Sequence, residues 1–195
     1  MLEGLVGIGI SHASHGLSVL ALYYLGRRII NHADGESISF IAACLHVISP
    51  AGLFLSAPYG ESTFALLAFL GYLLFARSFP VGEQPALLQD VLIVTSGLVL
   101  GLATTIRSNG LLNGLLFLKE AARIISLQSY FRFVHIRRLA ATGLGGICTA
   151  MGFLLPQYIA YQEYCGQHSA PDESQRPWCQ RTLPSVYTFV QDHYW

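Results

Sequence analysis

Two side chains able to bind a sugar lie in a short polar corner of an otherwise apolar region. Tyr59 and Glu61 belong to the sequence SAPYGES, which has a strongly apolar segment on either side. A carboxylate can take a proton from a sugar hydroxyl, and a phenol can donate a hydrogen bond to one. Glu61 equally fits a plainer role, in which it offsets the positive end of the helix that follows the corner. Glu61 is a candidate acid or base, and the catalytic base itself stays unassigned.

A second polar stretch, Arg107-Ser108-Asn109, ends another apolar run. Arginine binds phosphate through two parallel hydrogen bonds, and Asn109 adds an amide beside it. In the alternative interpretation, Arg107 only extends toward lipid headgroups and Asn109 belongs to an ordinary turn.

The end of the chain supplies the third set of polar and aromatic side chains, at Gln191, His193 and Trp195. These residue types stack on sugars and hydrogen-bond to them, although aromatic residues also anchor proteins at membrane interfaces without any substrate. The sequence contains no Gly-rich phosphate loop, zinc-ligand spacing or Ser-His-Asp pattern. We therefore expect no cofactor and no metal.

The elements that carry these residues are predicted to be membrane helices. Of the 195 residues, 53% are hydrophobic and 11% charged, against roughly 25% charged in average soluble domains. The zero net charge gives no support for nucleic-acid binding. We predict an all-α, polytopic membrane protein with a transmembrane domain over 1–161 and a polar segment over 162–195. About six spans are expected, at 2–25, 38–56, 62–76, 87–106, 110–125 and 139–161.

Charge placement predicts the orientation of these spans. If the amino terminus lies on the outer, luminal side, most basic residues fall at cytoplasmic ends, as the positive-inside rule requires. The residues at those ends are Arg27, Arg28, Arg77, Lys119, Arg123, Arg132, Arg137 and Arg138. The SAPYGES corner, Arg107 and the carboxy-terminal segment then share the luminal side. An oxidising lumen would allow Cys165 and Cys179 to form a disulfide; otherwise they remain thiols.

Three stretches resemble one enzyme family. Residues 49–71, SPAGLFLSAPYGESTFALLAFLG, resemble a segment of the second mannosyltransferase of GPI-anchor assembly. The sequence RSNG at 107–110 and the pattern PWC to YW at 177–195 are similar to later motifs of that family, in the same order. The resemblance covers nearly the whole chain.

This resemblance implies a partial GT-C-like fold in the endoplasmic-reticulum membrane, crossing it several times. The implied reaction transfers the second, alpha-1,6-linked mannose from dolichyl-phosphate mannose to the glucosaminyl-phosphatidylinositol intermediate. The implied partners are this donor, the GPI precursor lipid, membrane lipids and, as in some members, an accessory membrane subunit.

The chain also departs from the family pattern. Family members have an earlier span and an outer loop with an essential aspartate, which no position here matches, and they continue past the final Tyr-Trp. We therefore expect an internal piece of a longer protein. Two other functions stay open, namely a transporter, which His12, His15 and His46 would support, and a structural membrane subunit without catalysis.

Overall fold

A computed structural model describes residues 2–30, 33–49, 57, 59–80, 85–126, 133–165 and 179. All regular structure in these ranges is helical, which confirms the all-α prediction for the described residues. The helices are α1 (Leu2–Ile29), α2 (Gly35–Val47), α3 (Glu61–Arg77), α4 (Ala86–Ile106), a 3-10 helix (Ser108–Asn113), α5 (Gly114–Ser126) and α6 (Phe133–Cys165).

Three segments among the described residues are long and apolar enough to cross a membrane: Leu2–Ile29, Ala86–Ile106 and His135–Cys165. Their length and composition support the predicted membrane character. The other helices are shorter, with 13, 17 and 13 residues in α2, α3 and α5. At 1.5 Å per residue these measure about 20, 25 and 20 Å, less than the roughly 30 Å hydrocarbon core of a bilayer.

Two helix boundaries differ from the predicted spans. Helix α2 ends at Val47 with Ile48 as its cap, whereas the prediction continued the span to residue 56. A proline disfavours helical backbone in the residue before it, so Pro50 accounts for an end at this point. Helix α6 begins at Phe133 and ends at Cys165, extending the predicted 139–161 span at both ends.

The chain divides into two compact units, Met1–Gly152 and Phe153–Trp195. Within the first unit, neighbouring contacts define the helix directions. Helices α1 and α3 are parallel, because Ser11 contacts Ser62 and Arg28 contacts the Ala76 carbonyl further along both helices. Helices α3 and α4 are antiparallel, because Ser96 donates to the Gly71 carbonyl while Arg107 reaches Glu61.

Glycines allow α4 and α6 to approach closely. A Cβ added to Gly97 would lie 2.3 Å from the carbonyl oxygen of Gly145, and one on Gly101 would lie 2.5 Å from that of Cys148. Small residues permit such backbone contact between membrane helices. The buried hydrophobic cluster beside this contact consists of Ile93, Leu100, Phe117 and Ala141.

Because of these helix directions, the first unit has two chemically different ends. The end that carries the carboxyl termini of α1, α3 and α5 contains most of the described arginines. The opposite end contains the polar corner before α3 and the Arg107 bend after α4.

Candidate functional site

The structure brings two of the predicted motifs together. Arg107 Nη1 lies 2.9 Å from Glu61 Oε1, although the residues are 46 positions apart in sequence. Their side chains are 43% and 32% exposed respectively. The two groups therefore form an ion pair that solvent, or a ligand, can reach.

Glu61 is positioned by the corner that precedes it. It is the first residue of α3, and Gly60 is the N-cap. The Tyr59 N–H donates to the Ala57 carbonyl at 2.7 Å, and Ser11 of α1 donates its hydroxyl to the same carbonyl at 2.8 Å. The corner is thus held both by its own turn and by the neighbouring helix.

Arg107 lies at a bend between α4 and the 3-10 helix. Its backbone is extended, with φ −138° and ψ 123°, while its N–H donates to the Ala103 carbonyl at 3.1 Å and its carbonyl accepts from the Gly110 N–H at 2.9 Å. Gly110 is buried, and a Cβ there would lie 2.8 Å from Thr104 Cα. The bend therefore requires glycine at position 110.

Phe64 is a site residue that the sequence analysis missed. The guanidinium carbon of Arg107 lies 6.0 Å from the centre of the Phe64 ring, at the outer limit of a cation–π contact. Phe64 is three residues after Glu61 on α3, a spacing that places both on one helical face. That spacing was the available sequence signal.

Tyr59 and Asn109 lie on the two segments that form the site. Both are exposed, and neither side chain has a hydrogen-bond partner within the part of the chain that the structure describes. Of the Arg107 nitrogens, Nη1 is the one bonded to Glu61. The Nε and Nη2 edge has the geometry for a phosphate while the ion pair persists.

Gln191, His193 and Trp195 fall outside the described residues. In the second unit, a disulfide joins Cys165 to Cys179 with a Cα–Cα distance of 5.5 Å. In the described ranges, no group of three or more His, Cys, Asp or Glu side chains is arranged to hold a metal ion.

The histidines considered for a transport path do not form one group. His15 and His46 stack with ring centres 5.1 Å apart, and His46 Nε2 lies 2.9 Å from the Ser18 hydroxyl. His12 instead bonds to the Ile8 carbonyl of its own helix at 2.9 Å. The pair thus belongs to the packing of α1 against α2, and His12 is separate from it.

These features define a helical membrane protein with a solvent-accessible arginine–carboxylate pair at one end of its first unit. The family model described as "Mannosyltransferase (PIG-V)" matches residues 5–195, and the chain belongs to that family. The resemblance found in the sequence is therefore confirmed.

Individual relatives agree with this assignment. The chain is 44% identical over 194 residues to "GPI mannosyltransferase 2" of Gibberella zeae, covering 99% of this chain and 44% of the relative. It is 46% identical over 211 residues to the protein of that name from Chaetomium globosum, with the same coverage of 99% and 44%. It is also 32% identical over 185 residues to "GPI alpha-1,6-mannosyltransferase 2" of Cricetulus griseus, covering 80% of this chain and 33% of that protein.

The chain thus spans less than half the length of these relatives. The comparison with solved structures found no match.

Proposed function

We propose that this chain forms part of a mannosyltransferase of GPI-anchor assembly, which adds the second, alpha-1,6-linked mannose to the GPI precursor lipid. The family membership and the names of these relatives support this activity. The observation that carries the proposal for these residues is the accessible Arg107–Glu61 pair at the polar corner. Neither the transporter nor the structural-subunit alternative is favoured by the comparisons.

The donor in this proposal is dolichyl-phosphate mannose. Transfer breaks the bond between mannose C1 and a phosphate oxygen and forms a bond from C1 to the acceptor hydroxyl oxygen, whose proton passes to a base. Negative charge accumulates on the departing dolichyl phosphate. Arg107 binds this phosphate through Nε and Nη2, where a fixed cation stabilises the transition state more than the ground state.

Glu61 has two roles in this scheme. Its carboxylate holds Arg107 in place through the 2.9 Å bond, and its second oxygen is available to an acceptor hydroxyl as a candidate base. Exposed Tyr59 and Asn109 contact sugar hydroxyls at the rim of the same site. We extend the proposal to Gln191, His193 and Trp195, which would approach the sugar from the carboxy-terminal segment.

The proposed setting is the endoplasmic-reticulum membrane, crossed six times by 1–161, with residues 162–195 in the lumen. Two observations support this orientation. Within the described part of the first unit, Arg27, Arg28 and Arg77 lie at the end opposite Arg107, as expected if that end is cytoplasmic. The Cys165–Cys179 disulfide fits an oxidising compartment. A GPI precursor lipid and an accessory membrane subunit complete the proposed partners.

A chimera tests the proposal, because the chain covers 44% of the fungal relatives. In this chimera, our chain replaces the matching segment of the Gibberella zeae protein, and the product is expressed in cells depleted of their own enzyme. We expect it to restore addition of the second mannose, measured by mass spectrometry of the accumulated GPI lipids. Arg107→Gln should lower transfer about 100-fold, the scale for losing one transition-state donor.

The matched control is Lys119→Gln, which removes one exposed positive charge from α5, away from the site. Lys119→Gln should transfer at the unsubstituted rate. Normal transfer by Arg107→Gln at an equal protein level would remove Arg107 from the reaction. Failure of the chimera itself to add the second mannose, when it accumulates normally, would overturn the proposed activity.

A further inference from the structure

A cavity lies at the arginine-rich end of the first unit. It has a volume of about 790 Å³ and is formed by residues of α1, α3 and α4. Its lining consists of Tyr23, Tyr24, Arg27, Arg28, Arg77, Leu88 and Leu92. The Arg107–Glu61 pair lies at the other end of the same helices, so this cavity is distinct from the candidate catalytic site.

The three arginines of the cavity differ in what already engages them. Arg28 donates to the carbonyls of Ala76 and Phe79 and so links α1 to the end of α3. Arg27 lies 3.1 Å from Glu36 of α2. Arg77 is exposed, and no described residue forms an ion pair or hydrogen bond with it. Among the described residues the lining thus contains three cations and no carboxylate, and Glu36 pairs with only one of the three, which leaves the cavity attractive to an anion.

The position of the cavity along α1 indicates where that anion would come from. Helix α1 has 28 residues and is about 42 Å long, whereas the hydrocarbon core is about 30 Å thick. If the excess is shared between both ends, Arg27 and Arg28 lie at the level of the lipid headgroups. Tyr23 and Tyr24, one turn closer to the middle of the helix, lie where aromatic residues are enriched in membrane proteins.

The walls of the cavity combine charged and apolar groups, as a phospholipid does. The arginines lie at the ends of α1 and α3, while Leu88 and Leu92 of α4 are apolar. Basic pockets between transmembrane helices bind anionic lipid headgroups, and an acyl chain would lie along the apolar wall. A soluble phosphate would gain nothing from those leucines.

We propose that this cavity binds the phosphate headgroup of an anionic phospholipid. Arg77 supplies a charge that no described residue pairs, Arg28 supplies a cation already fixed to the backbone of α3, and Arg27 is partly neutralised by Glu36. The proposal is independent of mannosyl transfer, because it concerns the opposite end of the unit.

Native mass spectrometry of the detergent-solubilised chain tests the proposal, with titrations of phosphatidylserine, phosphatidylcholine and inorganic phosphate. We expect saturable binding of phosphatidylserine, with phosphatidylcholine and inorganic phosphate both weaker. Arg77→Gln should weaken phosphatidylserine binding about five-fold, the scale for one basic residue near a lipid surface. Lys119→Gln, which removes an exposed charge outside the cavity, should bind as the unsubstituted chain does.

A gain-of-binding variant separates the proposal from general damage to the fold. Glu36→Gln frees Arg27 from its carboxylate partner, so phosphatidylserine should bind more tightly than in the unsubstituted chain. Unchanged affinity in both Arg77→Gln and Glu36→Gln would overturn the proposal. Inorganic phosphate binding as tightly as phosphatidylserine would overturn the lipid as the ligand. Neither result would change the conclusion from the chimera experiment, which tests mannosyl transfer.

Discussion

The Glu120 network at the arginine-rich end and the Arg107–Glu61 pair at the opposite end are both arginine–carboxylate contacts, but they differ in burial and in number of partners. At the arginine-rich end, Glu120 is 4% exposed and accepts two hydrogen bonds from Arg123, at 2.7 and 2.8 Å. Arg138 lies 3.6 Å from the same carboxylate and donates to Ser78. At the polar corner, Arg107 makes a single bond to Glu61, and both side chains remain partly exposed.

This difference separates a structural network from a site that can exchange partners. Removing a buried carboxylate that two arginines share leaves positive charge uncompensated. A half-exposed pair contributes little to stability and can form a new bond to a ligand at small cost. The contrast therefore assigns the Glu120 network to folding and the Arg107–Glu61 pair to binding.

The largest expected effect is at the buried network. Glu120→Ala leaves Arg123 and Arg138 without their shared carboxylate, and Arg138 is only 13% exposed. We expect a loss of about 3–5 kcal/mol in unfolding free energy, measured by denaturant unfolding in detergent micelles. The exposed Arg27–Glu36 pair provides the control, because Glu36→Gln should leave the unfolding transition nearly unchanged. Equal stability of Glu120→Ala and the unsubstituted chain would remove the distinction between the Glu120 network and the Arg107–Glu61 pair.

Two glycines, Gly60 in the polar corner and Gly110 after the Arg107 bend, allow a test with an intermediate expected effect on stability. In Gly110→Ala the new Cβ would lie 2.8 Å from the backbone Cα of Thr104, whereas in Gly60→Ala it would meet only the Ile106 Cγ2, at 2.6 Å. A side-chain methyl can rotate away, but the backbone cannot. Gly110→Ala should therefore cost about 1–3 kcal/mol and reduce mannosyl transfer by displacing Arg107.

Thermal unfolding and the chimera assay check this prediction together. Gly60→Ala should be the milder variant in both measurements. The reverse order would show that the Arg107 bend does not depend on the close approach of Gly110 to α4.

The smallest expected effect on stability is at the ion pair itself. Glu61→Gln keeps the size of the side chain and removes its charge, so unfolding free energy should fall by only about 0.2–1 kcal/mol. Transfer by the chimera should decrease much more than this change in stability explains. A loss of several kcal/mol would instead make Glu61 part of the structural framework.

The sequence predicted the corner and the RSN stretch but not the bond between them. Apolar run lengths and charge placement put both on one side of the membrane, since alternate helices reverse direction. The direct pairing depends on the register of α3 against α4, which is set by Gly71 facing Ser96 and Gly60 facing Ile106. No local pattern contains that register.

Helix ends were less predictable than helix positions. Apolar composition extended the second span through Pro50, because hydrophobicity alone does not detect a backbone restriction. Arg137 and Arg138 lie outside the predicted 139–161 span, yet they belong to α6 and contact Asp90 and Ser78. Their partners lie in α4 and at the cap of α3, so the sequence around them could not indicate that they belong to α6.

The most direct test exchanges the two charges of the Arg107–Glu61 pair. The chimera carrying Glu61→Arg together with Arg107→Glu retains an ion pair of reversed polarity. If Arg107 binds the donor phosphate, this variant should accumulate and unfold like the unsubstituted chimera but transfer mannose as poorly as Arg107→Gln. Transfer restored to the unsubstituted rate would show that the pair only joins α3 to the Arg107 bend, and would contradict its role in binding.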